Sequence, residues 1–270
     1  MRFYSNGIYY YLRIDQNKPG LPYLLMLHGF MGSSKSFSGL IEPLKQFCNP
    51  VTIDLTGHGK SVTPPEPERF TTKQQVSDLA SIINRLKCSS LFIYGYSMGG
   101  RLAIQYAVNH PESLKGLILE STHCGIKSEA ERNSRSEADE ERARKIESGF
   151  EQFLDEWAKL PLFNHPGAEP DKEYLIRMKE QDPARMAASL RGFGAGQIPY
   201  ACDKLAALQL PAGLIAGEYD QKYVEKMGEM AHLCKNSVFT IVEGAAHRVH
   251  ADQPESIVQF INHFITENYG

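Results

Sequence analysis

Apolar residues in this chain fall into two patterns: short continuous runs, and spacings of three and four. Continuous apolar runs occupy 24–27, 91–94, 117–119 and 212–217, and each predicts a strand; so do 51–54 and 238–242, where β-branched residues include threonine, and a further β-rich segment covers 8–14. Helical spacing places Val76, Leu79, Ile82, Ile83 and Leu86 on one face of 73–86, and the segments 101–108 and 254–266 predict two more helices. Strands alternating with helices predict an α/β fold with a mostly parallel central sheet.

Between 119 and 212 the strand signals stop. Mixed acidic and basic residues fill 129–145, apolar Phe150, Phe153, Leu154 and Trp157 mark 149–160, and 172–190 adds another helical stretch. Residues 126–199 are therefore expected to form a helical cap inserted into a core made of 1–125 and 200–270. An insertion leaving the carboxyl end of a strand would roof whatever pocket lies there, excluding water and conferring selectivity.

The candidate chemistry sits at those strand ends. The run 91–94 leads into Gly95-Tyr96-Ser97-Met98-Gly99; glycines on both flanks permit a tight strand-to-helix turn that presents a serine hydroxyl. A hydroxyl is a poor nucleophile or base until a histidine accepts its proton and a carboxylate orients that histidine. The strand at 212–217 is followed by Glu218-Tyr219-Asp220, and the strand at 238–242 by Glu243-Gly-Ala-Ala-His247. Asp220 is the expected orienter, with Glu218 its competitor, and His247 the expected base. Serine, acid and histidine in that order, each just after a strand, is the order of the α/β-hydrolase fold. The run 24–27 ends in His28-Gly29-Phe30-Met31-Gly32, so the backbone N–H groups of Phe30 and Met98 are expected to converge on a developing oxyanion. His28 and His58, the latter between two glycines, are assigned structural roles.

Composition narrows the field further. At 270 residues, 42% hydrophobic and 23% charged, the chain can bury one large core. A formal net charge of −3 without a basic run gives no electrostatic case for nucleic acid or an anionic membrane surface. Cys48, Cys88, Cys124, Cys202 and Cys234 are odd in number and scattered, so they are expected to be reduced thiols. Residues 1–7 contain no long apolar segment, and no stretch approaches the roughly 20 apolar residues needed to span a bilayer. A cytoplasmic enzyme is the expectation.

Arg101 points to the ligand. It follows Ser97 by one helical turn, where a cation opposes the helix dipole; a carboxylate-bearing substrate, or a neighbouring Asp or Glu, would offset that. Arg135 in the cap is a second candidate anchor. Gly95-Tyr-Ser-Met-Gly-Gly-Arg101, Leu119-Glu-Ser-Thr-His-Cys-Gly125, Glu131-Arg-Asn-Ser-Arg135 and Trp157-Ala-Lys-Leu-Pro-Leu-Phe163 together resemble the 2-succinyl-6-hydroxy-2,4-cyclohexadiene-1-carboxylate synthases of menaquinone biosynthesis. The resemblance implies a lyase that eliminates pyruvate without a metal or organic cofactor from a small polycarboxylate. It implies Ser97, Asp220 and His247 as triad, Phe30 and Met98 as oxyanion hole, and Tyr96, Arg101, Arg135 and Trp157 as substrate-binding residues. A further cap cation is implied, with Arg177, Lys179 and Arg191 all in the region. Two other functions fit the same triad motifs: a serine hydrolase of esters or of C–C bonds next to a carbonyl, with Met31, Phe37 and Trp157 as apolar walls, and a ligand-binding protein without turnover.

Overall fold

Asn6 and Gly7 close a hairpin between β1 (Arg2–Ser5) and β2 (Ile8–Ile14). Both turn residues have positive φ, 45° and 88°, the geometry that matches the twist of paired strands and favours Asn-Gly. The computed structural model describes residues 1–163 and 171–269; the part of the expected cap at 164–170 lies outside them. After the hairpin come β3 (Tyr23–Leu27), β4 (Asn49–Ile53), β5 (Leu91–Tyr96), β6 (Gly116–Glu120), β7 (Ala212–Gly217) and β8 (Ser237–Val242). They lie side by side in the order β1-β2-β4-β3-β5-β6-β7-β8. Strands β3 to β8 are parallel, and β1 and β2 run antiparallel at one edge. Every residue of β4, β5, β6 and β7 is buried, which is why β5, β6 and β7 read as nearly continuous apolar runs.

The helices, in chain order, are α1 (Ser38–Leu44), α2 (Thr72–Leu86), α3 (Met98–Asn109), α4 (Glu129–Ser148), α5 (Phe150–Ala158), α6 (Lys172–Lys179), α7 (Pro183–Phe193), α8 (Cys202–Ala207), α9 (Gln221–Leu233), α10 (Val249–Asp252) and α11 (Pro254–Tyr269). One face of the sheet is covered by α2, α3, α8 and α9, through residues such as Leu79, Leu102, Leu205 and Met227. The other is covered by α1 and α11, through Leu40, Leu44, Ile257 and Ile261. Helix α2 buries Val76, Leu79, Ile82 and Ile83, as its spacing predicts, and stops at Lys87, which turns left-handed (φ 49°).

The four helices α4 to α7 lie between β6 and β7 in the chain. Helix α4 is so polar that it buries only Asp139, Ala143 and Ile146, one narrow stripe four and then three residues apart, and Ser128 caps its first turn. The stripe meets Phe153, Leu154, Met178 and Met186 in a separate small core that reaches down to Met31. Each large apolar side chain buried there contributes about 1.5–3 kcal/mol to holding the roof in place. The helical stretch expected at 172–190 is two helices. Asp182 breaks it, accepting a hydrogen bond from the Arg185 amide, and Pro183 begins α7 at a position where its missing N–H is no loss. Gly192 of α7 lies so close to the carbonyl of Pro67 that an added Cβ would sit 2.2 Å from it.

The expectation of five reduced thiols is overturned. Cys124 and Cys202 form a disulfide with Cα atoms 5.0 Å apart across 78 residues of sequence. Cys124 lies just before the inserted helices and Cys202 just after them, and the amide of Ala201 donates to the carbonyl of Cys124 (2.8 Å). The pairing is created by the return of the chain to the sheet, which no local spacing reveals. Cys48, Cys88 and Cys234 are free, and burial pushes the Cys48 thiol up to about 12. Among the described residues no helix is long and apolar enough to cross a membrane.

Candidate active site

Ser97 occupies a left-handed backbone conformation, φ 51° and ψ −109°, between β5 and α3. Such a conformation costs on the order of 1–3 kcal/mol in a non-glycine residue and persists only where its surroundings impose it. The surroundings are visible. The Ser97 amide donates to the carbonyl of Glu120 on β6 (2.9 Å), and Thr122 Oγ1 donates to the Ser97 carbonyl (2.8 Å). A Cβ on Gly99 would lie 2.2 Å from the carbonyl oxygen of Leu27, and one on Gly95 2.7 Å from Gly100 Cα. The flanking glycines are therefore demanded by close approach. Met31, four residues after β3, and Ser121, the residue after β6, also have positive φ, 60° and 46°, so the segments leaving three neighbouring strands all hold uncommon backbone conformations.

The end of β7 delivers Asp220 and the end of β8 delivers His247. Asp220 Oδ2 lies 2.6 Å from His247 Nδ1, and His247 Nε2 lies 3.0 Å from Ser97 Oγ. With Nδ1–H donating to the carboxylate, Nε2 is free to accept from the hydroxyl. Glu218 faces elsewhere, accepting from the Gly244 amide (3.0 Å) and so shaping the turn that carries the histidine. The His247 amide donates to the carbonyl of Leu162 in the inserted region (3.0 Å), and its ring lies against Tyr223 and Tyr96 with centroids 4.7 and 5.4 Å away. His28 and His58 are spent on structure: the Leu55 amide donates to His28 Nε2 (2.9 Å), and His58 Nδ1 donates to the Thr56 carbonyl (2.9 Å). Burial lowers both, His58 to about 3, so neither is a cation near neutral pH.

A cavity of about 350 Å³ opens over Ser97 and His247, lined also by Phe30, Met98, Tyr96, Trp157, Arg101 and Arg135. Phe30 and Met98, whose amides are the expected oxyanion donors, thus flank Ser97 on the β3 and β5 sides. Met31 and Phe37 are not walls of it. Met31 is buried in the core beneath the roof, and Phe37 points to the other face of the sheet against Tyr94. Of the three expected apolar walls only Trp157 is in place, edge-on to Phe30 at 5.6 Å.

Arg101 decides the character of the cavity. It is 8% exposed, no ion pair closes on it among the described residues, and its Nε is buried without a hydrogen-bond partner. Burial pulls its guanidinium down to about 10, so it remains a cation at neutral pH. A carboxylate does lie near it, and Asp139 on the same cavity wall favours the charged guanidinium, but Asp139 makes its hydrogen bonds to Arg135 Nε (3.0 Å) and Arg142 Nη1 (2.9 Å) instead.

Residues 22–254 match the model of the alpha/beta hydrolase fold. A Bacillus subtilis (strain 168) protein provisionally named 2-succinyl-6-hydroxy-2,4-cyclohexadiene-1-carboxylate synthase is 35% identical over 97% of this chain and 96% of its own length. The synthase of that name from Enterobacter sp. (strain 638) is 29% identical over 89% and 90%. The structure of MenH from S. aureus superposes with a TM-score of 0.91 at 32% identity, covering 97% of this chain and 99% of that one. The chain belongs to this synthase family of the α/β-hydrolase fold.

In this member of the synthase family the three candidates for a further cap cation separate clearly. Arg191 is bound to Glu140 and Glu147 on the outside of the roof, and Lys179 is exposed. Arg177 alone approaches Tyr96, in a small adjoining pocket shared with Arg248, and it pairs with Glu173 (3.0 Å). None of the three lines the main cavity. Sequence reasoning missed Arg142 and Lys222, which do line it, and Arg248, whose guanidinium stacks 4.0 Å over Tyr174 and binds Asp171 (3.0 Å). The available signals were position: Arg142 is seven residues after Arg135 on α4, Lys222 two after Asp220, and Arg248 next to His247. Burial lowers the Lys222 ammonium, with Arg135 adding to the effect, and burial pushes the phenols of Tyr96 and Tyr223 up. Among the described residues no group of three or more His, Cys, Asp or Glu is placed to hold a metal ion.

Proposed function

We propose that this chain forms 2-succinyl-6-hydroxy-2,4-cyclohexadiene-1-carboxylate, the product for which its relatives are named, by eliminating pyruvate from 2-succinyl-5-enolpyruvyl-6-hydroxy-3-cyclohexene-1-carboxylate, with no cofactor. Ser97, His247 and Asp220 act as the base. As the Ser97 hydroxyl proton passes to His247 Nε2, Ser97 Oγ takes a proton from a ring carbon, and the C–H electrons delocalise onto a carbonyl oxygen. The amides of Phe30 and Met98 stabilise that oxyanion, a contribution of about 3 kcal/mol for one such donor. The electrons return to form the ring double bond, the C–O bond to the enolpyruvyl group breaks, and the leaving enolate takes up one proton as pyruvate while His247 gives up the one it gained, restoring the relay. Asp220 keeps the imidazole oriented and offsets its transient positive charge. Arg101 and Arg135 hold the substrate carboxylates in register, while Tyr96 and Trp157 pack against its apolar parts.

The observation that carries this reading is Arg101: a buried cation to which no carboxylate hydrogen-bonds among the described residues, on the wall of the cavity that holds Ser97. An esterase pocket for apolar acyl groups would gain nothing from it. We place the reaction in the cytoplasm with the rest of a biosynthetic route, where cellular reductants would compete for the Cys124–Cys202 bond. The test presents purified protein with the succinylated enolpyruvyl substrate and, separately, with simple aryl esters, and measures pyruvate and phenol release. Pyruvate release that greatly outpaces ester cleavage supports the lyase; rapid ester cleavage with no pyruvate overturns it in favour of a hydrolase.

A further inference from the structure

We propose that Glu120 is a positioning residue for the reaction, fixing the separation of base and nucleophile from beneath the site; this rests on the roles given to Ser97 and His247 above. Glu120 is fully buried, and no step of the elimination uses its carboxylate. It ends β6 in register with Tyr96 of β5, and its two ends hold the two halves of the relay. Its backbone carbonyl accepts from the Ser97 amide (2.9 Å). Its carboxylate accepts from the His250 amide (3.1 Å) and from His250 Nδ1–H (2.8 Å), on the short helix that begins two residues after His247. Tyr94 Oη donates to the remaining carboxylate oxygen.

His250 transmits the constraint. Its ring meets Tyr96 edge-on at 4.6 Å between centroids, and Tyr96 in turn lies against His247 at 5.4 Å. From above, the histidine turn is held by the carbonyl of Leu162; from below it is held by Glu120. A carboxylate with no solvent contact is expensive to bury unless its hydrogen bonds are made. An apolar residue of similar volume would fill the space without that expense but could not pin α10 to β6. Because Ser97 and His247 come from different strand ends, a displacement of α10 translates into a longer Nε2 to Oγ distance, and proton transfer is steep in that distance.

The test measures Ser97 reactivity directly by the rate and final stoichiometry of its labelling with a fluorophosphonate, alongside kcat and KM for pyruvate release. Glu120→Gln is expected to label to full stoichiometry about 10–100-fold more slowly than wild type, with kcat reduced by a similar factor and KM within twofold. Ile257→Ala, in the same core but away from the relay, is expected to lose stability yet label at the wild-type rate. If Glu120→Gln does not fold, His250→Phe keeps the ring packing, removes only the Nδ1 bond, and is expected to label several-fold more slowly. A labelling rate and kcat unchanged in a folded variant, or a loss confined to stoichiometry, overturns the proposal. Failure of wild-type protein to release pyruvate while Ser97 still labels rejects the lyase and leaves Glu120 testable by labelling. A wild type that neither labels nor turns over rejects the triad roles and this proposal together.

Discussion

Nε2 of His247 lies 3.0 Å from Oγ of Ser97, two atoms separated by 150 residues of sequence. The distance is that of a hydrogen bond ready to transfer its proton, and the opposite ring nitrogen is already engaged by Asp220. Ser97→Ala and His247→Ala are each expected to lower kcat for pyruvate release by at least about 10³-fold, and the double variant to be little worse than either single one, because the residues act as a unit. Calorimetry with a product-like polycarboxylate is expected to find binding retained in Ser97→Ala. Additive losses would mean that the two side chains work separately.

Arg101 sets activity against stability. Its guanidinium is buried, its Nε has no hydrogen-bond partner and no ion pair closes on it among the described residues, so replacing it by methionine removes an incompletely compensated charge while keeping volume. Arg101→Met is expected to lower kcat/KM by about 10–150-fold, the value of a charge-assisted hydrogen bond of about 1.5–3 kcal/mol, and to raise the thermal midpoint. Activity assays and calorimetry on one preparation check both signs. A midpoint that falls would show that Arg101 is a structural cation.

His58 makes the fold sensitive to acid. Burial holds its folded value near 3 against an ordinary 6.5, so between those limits the unfolded chain takes up a proton that the folded chain refuses. The sign follows: stability is complete above about pH 6.5 and falls by roughly 1.4 kcal/mol for each pH unit below it, levelling near pH 3. His58→Gln can still donate to the Thr56 carbonyl. Its loss of stability between pH 7 and pH 5, measured by urea unfolding, is expected to be smaller than wild type's by about 2 kcal/mol. Parallel curves for the two proteins would contradict this.

The Cys124–Cys202 bond closes a loop of 78 residues. A disulfide typically contributes about 2–4 kcal/mol, and the chain-entropy account gives about 4.5 kcal/mol for a loop of that length. Thiol titration of the unfolded, unreduced protein is expected to find three free cysteines. Reduction, or Cys124→Ser with Cys202→Ser, is expected to lower the thermal midpoint by roughly 4–12 °C. Five titratable thiols in freshly purified protein would place the pair in its reduced form.

The sheet was legible because β3 to β7 are buried on both faces and therefore nearly uninterrupted in apolar residues. The Ser97 turn was legible because glycine at 95 and 99 leaves a mark in the sequence that close approach explains. Strand β1 was not: Tyr4 faces solvent, and the Asn6-Gly7 turn was its one local sign. The break at Asp182-Pro183 was equally local and was overridden by continuous helical spacing on either side. Phe37, offered as an apolar wall, lies on the other side of the sheet against Tyr94, a placement its position in the sequence does not reveal. The partners of Cys124, and those of the cations around Asp139, are set by how distant segments return, which hydrophobic patterning does not encode.

The disulfide also marks a seam. Where the inserted helices leave and rejoin the sheet, the two ends are separated by 5.0 Å between Cα atoms, so the length and sequence spliced between them can change without shifting a single strand. The floor of the site, where protons move, and the ceiling, where a substrate is chosen, are thus free to diverge at different rates.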